Sequence, residues 1–570
     1  MKDGPATGDV WDVIVVGSGA GGLTAASVAA AEGCSVLLLE QADVVGGTTA
    51  ISGGMVWIPA NHKAAAAQRA DSLEAARTYL AATVPGQDRT RLEAFLAHGD
   101  DAIRDLEART SLRLQPVLTY PDYYPNLPGA TSGGRVLEPV PFDARALGEA
   151  FALVRNPLPE FMLLGGMMIS RADIPHLRRV TRSLRAAWHV GKLLLKYGIQ
   201  RLRARRGTTL YLGNALVARL LKSALDLGVT LRTEHAVERL VTDTQGRVCG
   251  LEIRDSAGQT KALQARRGVV LATGGISHDS ELRSGYVPGS AGNLTATVSP
   301  GKAVCGARLA RGIGGKLSDP TNDGAFWVPA STFTRSNGSR GVYPHTVTDR
   351  AKPGLIAVDS NGQRFVNEAV SYHEFVRAQL SNANSAIPAW LICDSRFLWK
   401  YGLGKIKPFT LAIKPDIDSG YLKRADTPEA LAKLIDVSPS ALQETIANFN
   451  RHAQTGHDPK FGRGGNIYQR SLGDAEQQPN PCVAPLKQAP YYAVAVYPAD
   501  LGMSAGIVTD AHARVLAADG ALVAGLYACG NDMASIMEGA YPGPGITLGP
   551  AITFGWLAGR QVADDRSRQN

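Results

Sequence analysis

A short segment near the C-terminal end of the chain, Tyr541-Pro-Gly-Pro-Gly545, holds residue types that could bind a carbonyl oxygen. The phenolic O–H of Tyr541 and the backbone N–H of Gly545 can donate hydrogen bonds to one point, which would polarise a ketone. Glycine allows close approach of a substrate to the main chain, and the two prolines restrict the backbone between these donors. The same five residues are equally compatible with an ordinary tight turn, so the interpretation depends on the rest of the chain.

The N-terminal region carries the pattern of a nucleotide-binding unit. Residues 11–16 are predicted to form a buried parallel strand, a glycine-rich turn follows, and an alanine-rich helix runs to Glu32. A second apolar run begins at Val36 and ends at Glu40. Glycines at such a turn let the backbone approach a pyrophosphate at a helix N-terminus, and the acid binds ribose hydroxyls. The predicted contacts are Gly17, Ser18, Gly19, Ala20, Gly21, Gly22 and Glu40.

A second segment rich in glycine and hydroxyl residues, 46–54, follows directly and favours FAD over NAD. The segment resembles a loop that FAD enzymes of the fumarate reductase and succinate dehydrogenase superfamily place along the phosphates and flavin, and a solvent-exposed glycine-rich loop is the alternative. Two later segments, Leu271-Ala-Thr-Gly-Gly275 and Gly525-Leu-Tyr-Ala-Cys-Gly-Asn531, resemble the strands and turns that return to FAD in the fumarate reductase and succinate dehydrogenase flavoprotein superfamily.

With these motifs in hand, the chain resembles the flavin-dependent 3-ketosteroid Δ1-dehydrogenases of that superfamily, from Val13 to about Trp556 except near 150–207. Beyond the FAD end, the resemblance rests on Pro121-Asp-Tyr-Tyr124, on Arg364-Phe-Val-Asn-Glu-Ala-Val-Ser-Tyr372 and on residues 541–553. The chain departs from the family at Ser371, where proline is common, and at residues 299–302. The resemblance implies an active site of Tyr123, Tyr372, Tyr541 and Gly545. It implies further FAD contacts at Gly47, Thr48, Thr49, Ser52, Gly53, Val237, Gly274, Gly530, Asn531 and Leu548.

The implied reaction is 1,2-desaturation of a 3-ketosteroid. C1 would lose a hydride to flavin N5, while Tyr372, as a tyrosinate assisted by Tyr123, would remove the C2 proton. Tyr541 and Gly545 would bind the C3 oxygen as enolate charge develops. A phenol with a pKa of about 10 is a weak base at neutral pH, so we expect faster turnover at mildly alkaline pH.

Two neighbouring residues compete for these roles. Tyr124 is the rival of Tyr123, since extended geometry would point only one of them inward. His373 is chemically the better base near neutral pH. It is nevertheless expected to be an exposed neighbour of Tyr372, because the family motif requires no histidine there.

Residues 171–206 form a basic insertion with eleven lysines and arginines and one acid, a net charge of +10 against +9 for the whole chain. Its apolar residues are spaced as one helical stripe, and the apolar segment 161–169 precedes it. This combination predicts contact of residues 161–206 with an anionic membrane surface. The alternative is a helix that packs on the protein with a solvated basic face. Nucleic-acid binding is disfavoured, since no aromatic stacking platform accompanies the charges. The stripe consists of Leu177, Leu184, Trp188, Leu195 and Leu202.

Alternating helix, strand and glycine signals predict an α/β or α+β fold with a Rossmann-like FAD-binding domain, discontinuous in sequence. This domain is predicted to comprise residues 1–327 and 498–570, with the insertion at about 150–207, and the catalytic domain residues 328–497. The six cysteines and the histidines show no metal-ligand spacing, and no cysteine or histidine lies in a flavin attachment motif. We therefore expect FAD to be bound without a covalent bond, and we expect no metal site.

The N-terminal residues lack an apolar signal segment, so a cytoplasmic protein, free or on the inner membrane face, is expected. Its electron acceptor could then be a quinone. Three alternatives to Δ1-desaturation remain open. They are a 3-ketosteroid Δ4-(5α)-dehydrogenase, a fumarate reductase-like enzyme and a membrane-docked electron-transfer flavoprotein. The second would need an arginine-rich pocket, and residues 328–497 show no such cluster.

Overall fold

The computed structural model describes residues 10–565 apart from 70, 87, 88, 171, 182, 256, 300 and 302. In chain order, its strands are β1 Val10–Val16, β2 Val36–Leu39, β3 Val56–Trp57, β4 Leu114–Pro116, β5 Val136–Pro139, β6 Phe142–Asp143, β7 Thr209–Leu210, β8 Thr230–Arg232, β9 Ala236–Thr242, β10 Val248–Arg254, β11 Thr260–Leu271, β12 Ala325–Thr334, β13 Arg340–Pro344, β14 Leu355–Val358, β15 Ala389–Asp394, β16 Lys423–Ala425, β17 Tyr491–Met503, β18 Arg514–Leu516 and β19 Leu522–Ala528.

The helices alternate with these strands. The α-helices are α1 Ala20–Ala31, α2 Gly47–Ile51, α3 His62–Ala66, α4 Leu73–Thr83, α5 Arg89–Arg109, α6 Asp173–Arg178, α7 Leu184–Arg201, α8 Leu212–Asp226, α9 Ser280–Ser284, α10 Gly306–Arg311, α11 Tyr372–Ser381, α12 Ala383–Ala386, α13 Ser395–Tyr401, α14 Lys414–Asp418, α15 Pro428–Leu434, α16 Pro439–Ala453, α17 Ile467–Leu472 and α18 Leu548–Asp564. Short 3-10 segments lie at Ala144–Leu153, Pro159–Phe161, Gly289–Ala291 and Gly530–Asp532.

The first sheet joins segments that are far apart in sequence. Its strands lie in the order β18-β19-β11-β1-β2-β8, and β10 and β9 extend from β11. β1 runs parallel to both β2 and β11, and β11 runs parallel to β19. The apolar runs of these central strands are buried, as continuous apolar strands of a parallel sheet must be. The predicted mixed fold is thereby confirmed, and the carboxyl ends of β1, β11 and β19 meet at one edge.

A second sheet has the order β13-β12-β17-β15-β14, with β16 paired to β17. Helix α11, which begins at Tyr372, packs on β12 and so places this tyrosine beside the sheet. The predicted domain boundaries at 327/328 and 497/498 fall within β12 and β17, and the division into domains remains a prediction.

The basic insertion differs from the single helical stripe that the sequence predicts. α6 ends at Arg178, and α7 starts anew after Ser183, whose side chain accepts a hydrogen bond from the backbone N–H of Ala186 as an N-cap. Arg171 and Arg182 lie outside the described residues. Leu177 therefore belongs to a different helix from the rest of the predicted stripe.

The apolar residues of the stripe that follow Ser183 point into solvent. Leu184 is 92% exposed, Trp188 68%, Leu195 67% and Leu202 84%. Only Ala186 and Val190 of α7 are buried among the described residues. The predicted stripe is therefore not the face through which α7 packs on the protein, and contact of the helix with a membrane remains a prediction. No helix among the described residues has both the length and the apolar character that a bilayer crossing needs.

Candidate active site

A cavity of about 820 Å³ receives residues from both sheets and from the insertion. It is lined by nearly every residue that the sequence predicts to contact the cofactor or substrate. These are Gly17, Ser18, Gly19, Ala20, Gly21, Glu40, Gly47, Thr48, Thr49, Ser52, Gly53, Tyr123, Val237, Gly274, Tyr372, Gly530, Asn531, Tyr541, Gly545 and Leu548.

Gly22 is the predicted contact that does not line this cavity. A Cβ atom there would lie 1.9 Å from the carbonyl oxygen of Gly17 and 3.2 Å from the Cβ of Ala272. The glycine is thus required for close packing of α1 on the turn that precedes it. Its role as a direct cofactor contact remains a prediction.

The nucleotide end of the cavity fits a dinucleotide. One Glu40 oxygen accepts hydrogen bonds from the backbone N–H (3.2 Å) and hydroxyl of Ser18, and the other accepts from Ala42 N–H at 3.0 Å. Gly17 has a φ of +102°, and a Cβ there would lie 2.2 Å from the carbonyl oxygen of Ala272. The turn after β1 can therefore close only with glycine at this position.

Several other glycines keep the cavity wall open. No atom lies within 4 Å of the place that a Cβ would occupy at Gly47, Gly53, Gly274 or Gly530. Their bare backbone faces the space that a flavin and pyrophosphate would fill, and the residues present fit FAD. Residues 47–51 form the short helix α2 within the segment that the sequence predicts to be a loop.

Three tyrosines from distant parts of the chain gather at the substrate end. Tyr123 O–H donates a hydrogen bond of 2.9 Å to the hydroxyl oxygen of Tyr372. The ring of Tyr541 lies 5.6 Å from that of Tyr123, nearly parallel to it, and 5.1 Å from that of Tyr372, nearly perpendicular. The three side chains are only 4–5% exposed, and all line the cavity. The structure brings together the phenols that the sequence singled out.

Tyr123 is held in place mainly through its own backbone and its neighbour. Its N–H donates to the carbonyl of Pro542 at 2.9 Å, which ties it to the Tyr541 segment. The carboxylate of Asp122 accepts from Trp57 Nε1 at 3.0 Å and from Arg135 at 2.8 Å. These contacts fix the segment that carries Tyr123 against the turn at Tyr541.

Gly545 presents a backbone donor to the same cavity. Its φ is +94°, and a Cβ would lie 2.5 Å from the carbonyl of Met55, so a side chain does not fit. Its carbonyl accepts a hydrogen bond from Trp57 N–H at 3.2 Å. Its own N–H makes no hydrogen bond within the described part of the chain, which leaves this donor available to a ligand.

Burial governs the acidity of the phenols. It raises the pKa of Tyr372 well above 10, although the hydrogen bond from Tyr123 acts in the opposite direction. Burial likewise raises the pKa of Tyr123 well above 10 and that of Tyr541 to about 12. All three are therefore neutral near pH 7, suited to donate hydrogen bonds, and an ionised base among them needs alkaline pH or a nearby positive charge.

The two competing residues take other positions. The hydroxyl of Tyr124 donates to Glu374 Oε1 at 2.7 Å and does not reach the tyrosine cluster. His373 is fully buried, so the expectation of an exposed neighbour is wrong. Its Nδ1 accepts from the backbone N–H of Trp327 at 3.1 Å, and burial lowers its pKa well below 6.5. A neutral histidine fixed in this way holds α11 against β12.

The sequence matches the family described as FAD binding domain over residues 12–548. This chain belongs to the FAD-binding domain family. FAD as the cofactor is thereby confirmed, and the dehydrogenases among the relatives of the chain confirm the oxidoreductase class.

Two relatives of the chain are dehydrogenases of cyclic oxo compounds. A 4-oxocyclohex-2-ene-1-carboxylate 5-dehydrogenase of Sinomonas cyclohexanicum is 37% identical over 97% of this chain and 93% of its own length. A 3-oxosteroid 1-dehydrogenase of Mycobacterium tuberculosis is 34% identical over 98% of this chain and 99% of its own length.

A solved structure from the same family has the same architecture. The 3-ketosteroid Δ1-dehydrogenase of Sterolibacterium denitrificans, in complex with 1,4-androstadiene-3,17-dione, is 38% identical and has a TM-score of 0.90. The match covers 97% of this chain and 99% of that chain. The resemblance to the 3-ketosteroid Δ1-dehydrogenases that the sequence motifs indicated is confirmed.

Some residues that line the cavity were not identified from the sequence. The cavity wall includes Tyr343, Thr346, Asp349, Leu403 and Phe409, which carry no motif and come together only through folding. Asp532 follows the predicted Gly530-Asn531 contacts, and its carboxylate accepts hydrogen bonds from Thr273 Oγ1 at 2.8 Å and Gly275 N–H at 2.9 Å. The position of Asp532, two residues after the predicted cofactor contact Gly530, was the one sequence signal that could have identified it. Within the described residues, no group of His, Cys, Asp or Glu could hold a metal ion.

Proposed function

We propose that this protein is an FAD-dependent 3-ketosteroid Δ1-dehydrogenase that oxidises the C1–C2 bond of its substrate. The observation that carries the proposal is the buried cluster of Tyr123, Tyr372 and Tyr541 beside the free N–H of Gly545, in the cavity that the FAD-binding residues also line. Each of the four residues would take the role that the family resemblance implies for it.

The proposed roles follow from donor and acceptor chemistry. Tyr541 O–H and Gly545 N–H bind the C3 ketone and stabilise the negative charge that grows on its oxygen, which acidifies the C2 proton. Tyr372 takes that proton, and the hydrogen bond from Tyr123 stabilises the charge on its oxygen before transfer. FAD, when bound, supplies the acceptor for the hydride that leaves C1.

The cavity favours a steroid over a carboxylated ring. Relatives of this chain act on oxocyclohexane and oxocyclohexene carboxylates as well as on steroids. Among the described cavity-lining residues, Arg155 and Lys407 are the only arginine and lysine. The Lys407 amine donates to the carbonyl of Met162. A carboxylate would thus find few cationic partners, and the dicarboxylate site of a fumarate reductase-like enzyme is disfavoured for the same reason.

One assay separates these functions. FAD-loaded protein, an artificial electron acceptor and androst-4-ene-3,17-dione should yield the 1,4-dien-3-one, followed by its stronger ultraviolet absorbance and by mass. This substrate already has the C4–C5 double bond, so a Δ4-(5α)-dehydrogenase has no such bond to form. Turnover of 4-oxocyclohexanecarboxylate or fumarate with none of the steroid would contradict the proposal.

The exposed stripe of α7 favours a second property, attachment to an anionic membrane surface. Three apolar side chains of α7, Leu184, Trp188 and Leu195, and that of Leu202 directly after the helix are 67–92% exposed. The surrounding lysines and arginines supply attraction to anionic lipid. Phe161, Met168 and Leu177 of the same insertion line the cavity, so a steroid dissolved in lipid would have a short path inward.

This attachment would place the protein on the inner face of the cytoplasmic membrane, with a membrane quinone as electron acceptor. Sedimentation with vesicles tests the attachment. We expect binding to phosphatidylglycerol vesicles at low salt, weaker binding at high salt because of screening, and little binding to phosphatidylcholine. Reduction of a short-chain quinone by steroid-reduced enzyme tests the acceptor. Protein that stays in the supernatant with anionic vesicles at low salt would refute the attachment.

A further inference from the structure

The tyrosine cluster contains a proposed base in a setting that opposes its ionisation. Burial raises the pKa of Tyr372 and of Tyr123, and neutral His373 offers them no charge. A buried phenolate is stabilised by a cation within a few ångströms. Arg350 is a buried cation whose charge interacts with the phenols of Tyr123 and Tyr468.

Arg350 is buried, and its guanidinium contacts neutral oxygen atoms. Nε donates to the carbonyl of His345 at 2.9 Å, and one terminal nitrogen donates to Thr346 O at 3.0 Å. The other terminal nitrogen donates to Glu368 O at 3.0 Å and to Val370 O at 3.2 Å. No carboxylate forms an ion pair with this guanidinium in the described part of the chain. Its positive charge is therefore hydrogen-bonded but not cancelled by direct contact.

The same contacts place this charge against the backbone segment that leads to Tyr372. Glu368 and Val370 belong to the segment that ends at Tyr372, and the ring of Tyr468 lies 4.7 Å from the ring of Tyr123. Burial lowers the pKa of Arg350, while the phenols of Tyr468 and Tyr123 act in the opposite direction. An arginine remains protonated even in apolar surroundings.

The other charged groups near Arg350 already have partners. Asp349 Oδ2 is hydrogen-bonded to His345 Nδ1 at 2.6 Å and accepts from Gly404 N–H at 3.2 Å. The carboxylate of Glu368 is paired with Arg364 and, at 3.1 Å, with Arg463. Arg463 is a like charge that opposes protonation of Arg350, and Asp349 favours it.

We propose that Arg350 is a positioning residue whose charge stabilises the ionised form of the hydrogen-bonded Tyr123–Tyr372 pair. This inference rests on the proposed function, in which Tyr372 is the base. Arg350 touches neither substrate nor flavin in this scheme. It acts through the electrostatic field that it sets up across Tyr468 and along the segment before Tyr372.

The test compares Arg350→Gln with Arg350→Lys in the FAD-loaded enzyme. The rate of steroid-dependent flavin reduction is measured across pH, and tyrosinate formation in the oxidised enzyme without steroid is followed by ultraviolet absorbance. We expect the apparent pKa of both profiles to rise by about one unit in Arg350→Gln and to return toward the wild-type value in Arg350→Lys.

A matched control uses another fully buried arginine. Arg463 donates to the carbonyls of Arg350 and Lys352, but Glu368 balances its charge. Arg463→Lys should leave the apparent pKa of both profiles unchanged, even if the rate of flavin reduction falls. If Arg350→Gln does not fold, Asp349→Asn serves instead. This variant should shift the tyrosinate pKa downward, because it removes a neighbouring negative charge.

The outcomes separate this inference from the proposed function. A uniform loss of rate in Arg350→Gln, with both pKa values unchanged, would show that Arg350 only supports the segment and would overturn the inference. If Arg350→Gln fails to fold, an unchanged tyrosinate titration in Asp349→Asn has the same meaning. Full turnover in Tyr372→Phe would instead refute the base assignment, while the tyrosinate titration would still report the effect of Arg350.

Discussion

The tyrosine cluster and helix α7 use aromatic and apolar side chains in opposite ways. Tyr123, Tyr372 and Tyr541 are almost completely buried and satisfy one another through a hydrogen bond and stacked rings. The apolar residues of α7 stand in solvent on a helix that buries little of its surface. The first region is enclosed by the fold, whereas the second leaves an apolar face exposed to solvent.

This difference implies that the two regions contribute to separable properties. Substitutions in the cluster should change chemistry without changing where the protein binds. Substitutions on α7 should change attachment without changing chemistry in solution. The predictions below test that separation.

The largest effect is expected for Tyr372→Phe. Without a base for the C2 proton, steroid turnover should fall by roughly 100- to 10,000-fold, while the protein stays yellow with bound FAD. Turnover is measured with an artificial acceptor, and FAD content from the visible spectrum. Tyr497→Phe, on an exposed part of β17, serves as the control. Undiminished turnover in Tyr372→Phe would remove this residue from the mechanism.

Tyr541→Phe should lose about 100- to 1,000-fold in turnover, because one donor to the developing oxyanion disappears. The loss should fall mainly on kcat, since the interaction strengthens as charge grows on the ketone oxygen. Steady-state kinetics at saturating steroid would show this. A variant with normal kcat and only a raised KM would indicate that Tyr541 merely contacts the substrate.

The pH dependence should show the ionisation of the base. Burial raises the pKa of Tyr372, so the ionised fraction is small at pH 7 and grows about tenfold per pH unit below that pKa. Turnover should therefore rise from pH 6 into the alkaline range. A flat profile between about pH 6 and 10 would argue against a tyrosinate, provided that a pH-independent step such as product release is excluded by rapid-mixing measurements.

A smaller effect separates two adjacent tyrosines. Tyr123→Phe removes the hydrogen bond to Tyr372 and should slow turnover by about tenfold, the value of a bond to a charged group. Tyr124→Phe removes only the contact with Glu374 and should leave turnover unchanged. Parallel kcat measurements decide between them. Equal losses in both variants would mean that the segment and not the hydroxyl matters.

The smallest effect on chemistry is expected on α7. The triple variant Leu184→Ser, Trp188→Ser and Leu195→Ser should keep full kcat with a soluble acceptor and lose binding to anionic vesicles. Leu411→Ser is the matched control, since Leu411 is 86% exposed but lies outside the insertion. If both variants bind vesicles as the unmodified protein does, the stripe is not the attachment surface.

Local pattern was sufficient where a backbone requirement or an uninterrupted run of apolar residues decided the structure. The turn at Gly17 needs glycine for its φ of +102°, and residues 13–16 of the strand before it are all apolar, so both were predictable. Apolar spacing failed in the basic insertion, because it does not show where one helix ends and the next begins. The spacing of leucines from 177 to 202 predicted one stripe, but the N-cap at Ser183 starts a new helix.

The sequence by itself determined the FAD-binding family, the mixed fold and the segments from which the clustered phenols come, because glycine turns and apolar strands are local properties of the chain. Tertiary structure alone decided that Tyr123 and not Tyr124 meets Tyr372, that His373 is buried, and which loops wall the cavity. Those outcomes depend on contacts such as the hydrogen bond between Tyr123 and Tyr372, which spans 249 positions. Burial and electrostatic environment arise only when such distant segments meet.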